Sequence, residues 1–145
     1  MIVDELTAIV IDEAVQIHRE IGPGLFESVY ETILAGRLEA RGLLVQRQMI
    51  VPLEYEGVWF EQAFKIDLLV ERTLILEIKS VDQLLKAHAK QLLTYLRLMK
   101  QPVGLLLNFS GETMREGIRR LVNNHSVRDL SATPLPSAPP RERLE

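Results

Sequence analysis

The chain has 145 residues, enough for one domain with a packed core and too few for two comfortable ones, and its 47% hydrophobic and 26% charged residues exclude a chain disordered throughout. A net charge of −3 argues against broad, sequence-blind nucleic-acid binding, which depends on many Lys and Arg contacts to phosphate. Cysteine is absent, so disulfides and thiolate metal sites are excluded and any metal must be held by oxygen or imidazole, which favours hard divalent ions.

The opening residues Met1-Ile2-Val3-Asp4-Glu5 lack a basic stretch followed by an apolar one, and no apolar run approaches the ~20 residues a membrane helix needs. The expectation is a cytoplasmic protein with no membrane partner. From Asp4 to Glu20, Leu6, Ile9, Val10, Ala14, Ile17 and then Ile21 recur at helical spacing, and Gly22-Pro23-Gly24 stops the helix. A second helix is expected over Leu25 to Arg41, with Gly42 as its cap. Leu43 to Glu54 alternates loosely and reads as a strand, and Tyr55-Glu56-Gly57 turns it into Val58 to Val70. A short polar break at Glu71-Arg72 leads to Thr73 to Lys79, so these two segments read as an antiparallel hairpin. Leu84 to Lys100 is helical and ends before Pro102, Val103 to Phe109 is a strand dense enough in Val and Leu to be buried on both faces, and Glu112 to Asn123 is expected to be a last helix. Residues 1–125 therefore form the expected domain, and 126–145, which hold four of the seven prolines, form an expected mobile tail.

Polar residues interrupt this pattern at a few places. If 71 and 73 pair across the turn, position sums near 144 set Asp67 opposite Glu77, and alternation puts Lys79 on the same face. The other face, Phe64, Ile66, Leu68 and Val70 against Leu74, Leu76 and Ile78, is a core face. Taken alone, the three charges read first as a solvated cross-strand ion-pair ladder of small energetic worth. Gln91 and Tyr95 are four apart and so share a helical face; an amide can orient water or phosphate, and a phenol can donate to phosphate, stack on a base or pack in a core. Lys86, Lys90, Arg97 and Lys100, and again Arg115, Arg119 and Arg120, are basic clusters whose local field can outweigh the net charge, although each also reads as a solvated helix face. His18 and His88 lie on largely apolar helices, where a hydrogen-bonded core histidine is the commoner outcome.

The helix and strand order, with Asp67, Glu77-Ile78-Lys79 and Gln91-x-x-x-Tyr95 in these places, resembles the PD-(D/E)XK nuclease superfamily, in its RecB-like branch. Gly24-Leu25-Phe26-Glu27-Ser28-Val29-Tyr30, preceded by His18-Arg19-Glu20-Ile21-Gly22-Pro23, resembles the signature of the GxxExxY family grouped with it. The likeness runs from about Leu6 to Asn123. It implies an α/β fold of restriction-endonuclease-like type, a mixed sheet flanked by helices in the order ααβββαβα. It implies Mg²⁺ or Mn²⁺ held by Glu27, Asp67, Glu77 and the carbonyl of Ile78, with Lys79 stabilising charge during phosphodiester hydrolysis. Gln91, Tyr95, Tyr30 and His18 would then bind substrate or support the ligands, Tyr30 mainly by core packing with its hydroxyl at the site edge. DNA or RNA is the implied partner. A homodimer that buries an exposed helix stripe, a noncatalytic module that keeps the fold, and a hydrolase of small phosphate esters are the alternatives that the same residues allow.

Overall fold

The computed structural model describes residues 1–124; the tail expected over 126–145 lies outside the described residues, as does His125. Two helices, α1 (Val3–Ile21) and α2 (Glu27–Ala40), precede three strands, β1 (Val45–Tyr55), β2 (Val58–Val70) and β3 (Leu74–Lys79). Helix α3 (Lys86–Met99) then leads to β4 (Val103–Asn108) and β5 (Ile118–Val122). The five strands form one mixed sheet in chain order, antiparallel except where β3 and β4 run parallel. That parallel pair needs a crossover, which α3 supplies. Gly22, at φ +85°, ends α1 in a conformation that a side chain would strain.

The sheet separates two apolar layers. Leu6, Val10, Ala14 and Ile17 of α1 and Leu34 and Leu38 of α2 pack against Leu74, Leu76, Ile78, Leu105 and Leu107 on one face. Leu92 and Leu96 of α3 pack against Ile75, Leu69, Ile66 and Leu106 on the other. As its composition suggests, β4 is buried on both faces and lies inside the sheet between β3 and β5.

Two sequence expectations are corrected. The helix expected over Glu112 to Asn123 is instead a short 3₁₀ turn, Arg115–Gly117, followed by strand β5. Without β5 the backbone of β4 would have no partner on that side. Ile118 packs into the α1–α2 layer and Leu121 beside the α3 layer, so residues three apart serve opposite faces as only a strand allows. The second correction concerns β2, whose apolar residues do not share one core face. Phe64 and Ile66 belong with α3, whereas Leu68 and Val70 belong with α1 and α2, so the strand changes face across Asp67. Strand β1 does the same between Val45 and Met49, and Gln48 between them has φ +48°, which breaks the regular alternation.

The turn into β5 depends on one glycine. A Cβ at Gly117 would meet the carbonyl oxygen of Asn108 at 2.0 Å, backbone against backbone, with no side chain free to yield. Gly117→Ala should therefore lower stability by about 2 kcal/mol or more. Urea unfolding followed by circular dichroism measures this, and an unchanged midpoint would show that the β4–β5 connection relaxes freely.

Candidate functional site

Strands β2 and β3 pair in the register expected, with Leu68 opposite Leu76 and Val70 opposite Leu74. One residue further along, side chains replace the backbone ladder. The Asp67 amide donates to Glu77 Oε2 at 2.9 Å, and the Ile78 amide donates to Asp67 Oδ2 at 2.8 Å. Each carboxylate thus satisfies an amide beside the other residue, and the structure brings Asp67 and Glu77 together in the gap between the strands.

This is a costly place for charge. Glu77 is only 4% exposed, and burial, followed by repulsion from Asp67, pushes its carboxyl up to about 8 against the help of the Asp67 amide and the Lys79 ammonium. Burial likewise raises Asp67, although the Ile78 amide, Lys79 and Gln48 favour its anion. Lys79, two residues beyond Glu77 on β3, is half-buried and acts electrostatically on both acids.

The other site candidates fall into two groups. Glu27 opens α2 on the surface, and its Oε2 accepts the Ser80 amide at 3.0 Å while Ser80 Oγ donates to the Leu25 carbonyl at 2.9 Å. These bonds pin the start of α2 to the end of β3, close enough for the charge of Glu27 to raise Asp67. Tyr95 is half-buried in a stack on Phe64, with centroids 4.4 Å apart, and its phenol is raised first by burial and then by the charges of Glu77 and Asp67, with a hydrogen bond to Gln91 opposing. So Glu27, Lys79 and Tyr95 interact with the acidic pair, and Gln91 is tied to it through Tyr95.

Tyr30 and His18 are engaged elsewhere. Tyr30 is fully buried in a stack on Phe109; its hydroxyl donates to the Gly22 carbonyl at 2.7 Å and accepts from the Leu25 amide, so it holds the turn before α2 rather than reaching the carboxylates. His18 is buried with Nε2 2.8 Å from the Gly111 carbonyl. His88 caps α3, where its Nδ1 accepts the Leu85 amide.

Three contributors had no role in the sequence reading. Glu31, one turn after Glu27, is buried, forms an ion pair with Arg47 at 3.2 Å and adds to the repulsion on Glu77. The side-chain amide of Gln48 donates to Glu31 Oε1 and reaches Asp67 Oδ1 at 3.4 Å, so it bridges the two acids. The i, i+4 spacing of Glu27 and Glu31 hinted at the first, but nothing near Gln48 or Arg47 marked them.

A family model described as the PD-(D/E)XK nuclease superfamily matches residues 4–121, nearly all of the described fold. The chain belongs to the PD-(D/E)XK nuclease superfamily. No curated protein and no solved structure matches it. Nucleases of this superfamily generally use divalent metal ions and act on nucleic acid. Among the described residues, no three His, Cys, Asp or Glu side chains already converge as a metal site, and no helix is long and apolar enough to cross a membrane. The acidic pair nevertheless suits a hard divalent ion: it offers carboxylate oxygens, and burial destabilises both acids as anions, with Asp67 adding repulsion on Glu77.

The raised Glu77 carboxyl sets the pH response of the metal-free protein. Its folded-state value of about 8 lies above the ordinary 4.5, so the folded chain keeps a proton that the unfolded chain releases. The resulting stability is fully present below pH 4.5 and is lost as pH rises through about 8. With chelator present, the unfolding free energy should fall across this window with a slope of up to about 1.4 kcal/mol per pH unit, and Glu77→Gln should flatten the profile. Urea titrations at several pH values test this; equal slopes in both proteins would contradict the assignment.

Proposed function

We propose that the protein is a divalent-metal-dependent nuclease that hydrolyses phosphodiester bonds in DNA or RNA, of the GxxExxY type within the RecB-like branch. The observation that carries this reading is the paired Asp67 and Glu77, two carboxylates held by the backbone amides of Ile78 and Asp67 respectively, with Lys79 acting on both. Asp67, Glu77 and the Ile78 carbonyl would hold Mg²⁺ or Mn²⁺, with Glu27 contributing through the oxygen not bonded to Ser80. The ion supplies positive charge to the scissile phosphate and acidifies the attacking water.

The chain's own groups supply the rest. The Lys79 ammonium, on the same face as Glu77, stabilises negative charge that develops on the phosphate. The Tyr95 phenol keeps its proton beside two acids and can donate it in a hydrogen bond to a phosphate oxygen, with Gln91 orienting it. Gln48 and Glu31 fix the direction of Asp67. A second reading, a binding module without turnover, is favoured by one observation, that an oxygen of Glu27 is bonded to Ser80 and, among the described residues, no third acid joins the pair as a metal site.

Purified protein should cleave labelled oligonucleotides with Mg²⁺ or Mn²⁺, and Glu77→Gln and Lys79→Ala should each slow cleavage about a hundredfold or more. Cutting that survives both substitutions comes from elsewhere and would refute the site. Calorimetric titration with Mn²⁺ should show binding that Asp67→Ala weakens at least about tenfold. Carboxylate-dependent binding without cleavage of any strand would favour the noncatalytic module.

A further inference from the structure

A cavity of about 470 Å³ lies between the last turn of α1, the Gly22-Pro23 turn and the segment 112–115 after β4. Val15 and Met114 give it apolar wall, His18 is buried in its side, and Arg19, Arg115 and Glu112 stand at it. The volume suits a ligand of mononucleotide size.

The two arginines make the cavity distinctive. Among the described residues Arg37, Arg41, Arg47 and Arg120 are each committed to carboxylates, whereas Arg19 and Arg115 take part in no ion pair although Glu112 lines the same cavity. Two arginines from separate segments therefore line one open space without a carboxylate partner, and a guanidinium receives a phosphate in a forked, charge-assisted contact. His18 helps to define the floor: with Nε2 on the Gly111 carbonyl, its ring ties α1 to the loop that carries Glu112 to Arg115. The apolar wall gives a base or sugar a surface, and Glu112 and Thr113 give hydroxyl or amine groups a partner.

We infer that this cavity binds the phosphomonoester of a nucleotide through Arg19 and Arg115, with the nucleoside against Val15 and Met114. It is separate from the acidic pair but not remote in the chain. Gly22, on its wall, accepts the Tyr30 hydroxyl, and the same turn continues through Leu25 to Glu27. Seating the phosphorylated end of a strand here would fix that end at the turn that leads to Glu27. That use rests on the nuclease reading, whereas the binding itself does not.

Calorimetry on the full chain, without metal, tests the inference with thymidine monophosphate, thymidine, inorganic phosphate and a 5′-phosphorylated thymidine trinucleotide. The monophosphate should bind at least about tenfold more tightly than thymidine, and Arg19→Ala with Arg115→Ala should remove most of that difference. Glu77→Gln should leave it unchanged. Both arginines are on the surface, so these variants should fold, as circular dichroism will verify. A trinucleotide bound as well as the monophosphate identifies a strand end as the ligand, and preference for the monophosphate identifies a free nucleotide. Absence of binding at millimolar concentration, binding indifferent to both arginine substitutions, or inorganic phosphate bound as tightly as the monophosphate would overturn the assignment. Cleavage by a protein that fails this test would leave the nuclease reading standing, and binding by a protein that never cuts would leave the pocket standing.

Discussion

The exchange of bonds between Asp67 and Glu77 is the constraint around which the sheet is organised. Two adjacent strands stop pairing through their backbones after Leu68 and Leu76, and the amides that would otherwise be left unpaired are taken up by carboxylates from across the gap. An unpaired buried amide costs about 1–3 kcal/mol, and a hydrogen bond to a charged acceptor is roughly twice as strong as a neutral one. The acids therefore support the fold at the same point where they are hardest to keep ionised. A group that prefers its proton in isolation and its anion beside a cation is poised between two states, and the surrounding charges decide between them.

The change of face at Asp67 explains how such a pair can sit at the junction of two cores. Below it, β2 faces the layer under α1 and α2; above it, the strand turns its apolar side to α3. Gln48 makes this change possible on β1 by adopting a left-handed backbone, and its side chain ties Asp67 to Glu31 of α2. The irregularity also has a positional consequence: Phe64 reaches Tyr95 and fixes the phenol's ring beside the acids. Local strain at one residue thereby connects the three helices to one point of the sheet.

The readable part of this arrangement was what depends on alternation and short turns. The polar break at Glu71-Arg72 fixes the hairpin register, and the register alone places Asp67 opposite Glu77, where the structure has the Asp67 amide on Glu77 and the Ile78 amide on Asp67. The density of Val103 to Phe109 likewise gave an interior strand. What failed was whatever tertiary contact decides. Ile118 and Leu121 fit a helical stripe as well as a strand, and only the unfilled edge of β4 selects the strand, a preference that no local window contains. Gln48 has no distinguishing neighbours because its backbone conformation is imposed by two cores changing sides. Tyr30 was placed in the core correctly, but the destination of its hydroxyl, the Gly22 turn, depends on how closely α1 and α2 approach.

Net charge is the wrong scale on which to judge an anionic ligand for this chain. Part of the basic charge is spent within the fold: Arg37 and Arg41 clamp α2 to Glu13 and its neighbours on α1, and Arg47 neutralises Glu31. An approaching phosphate meets the remainder, which includes Lys79 at the acids and Arg19 and Arg115 at the cavity beyond Gly22. The acidic pair by itself repels a polyanion, so a strand needs cationic contacts on its flank before its backbone can approach the carboxylates. The turn from Gly22 to Leu25, held by the hydroxyl of Tyr30, is the piece of structure that joins those contacts to Glu27. On the proposed reading, this short, buttressed turn would govern whether anchoring and chemistry happen on the same strand.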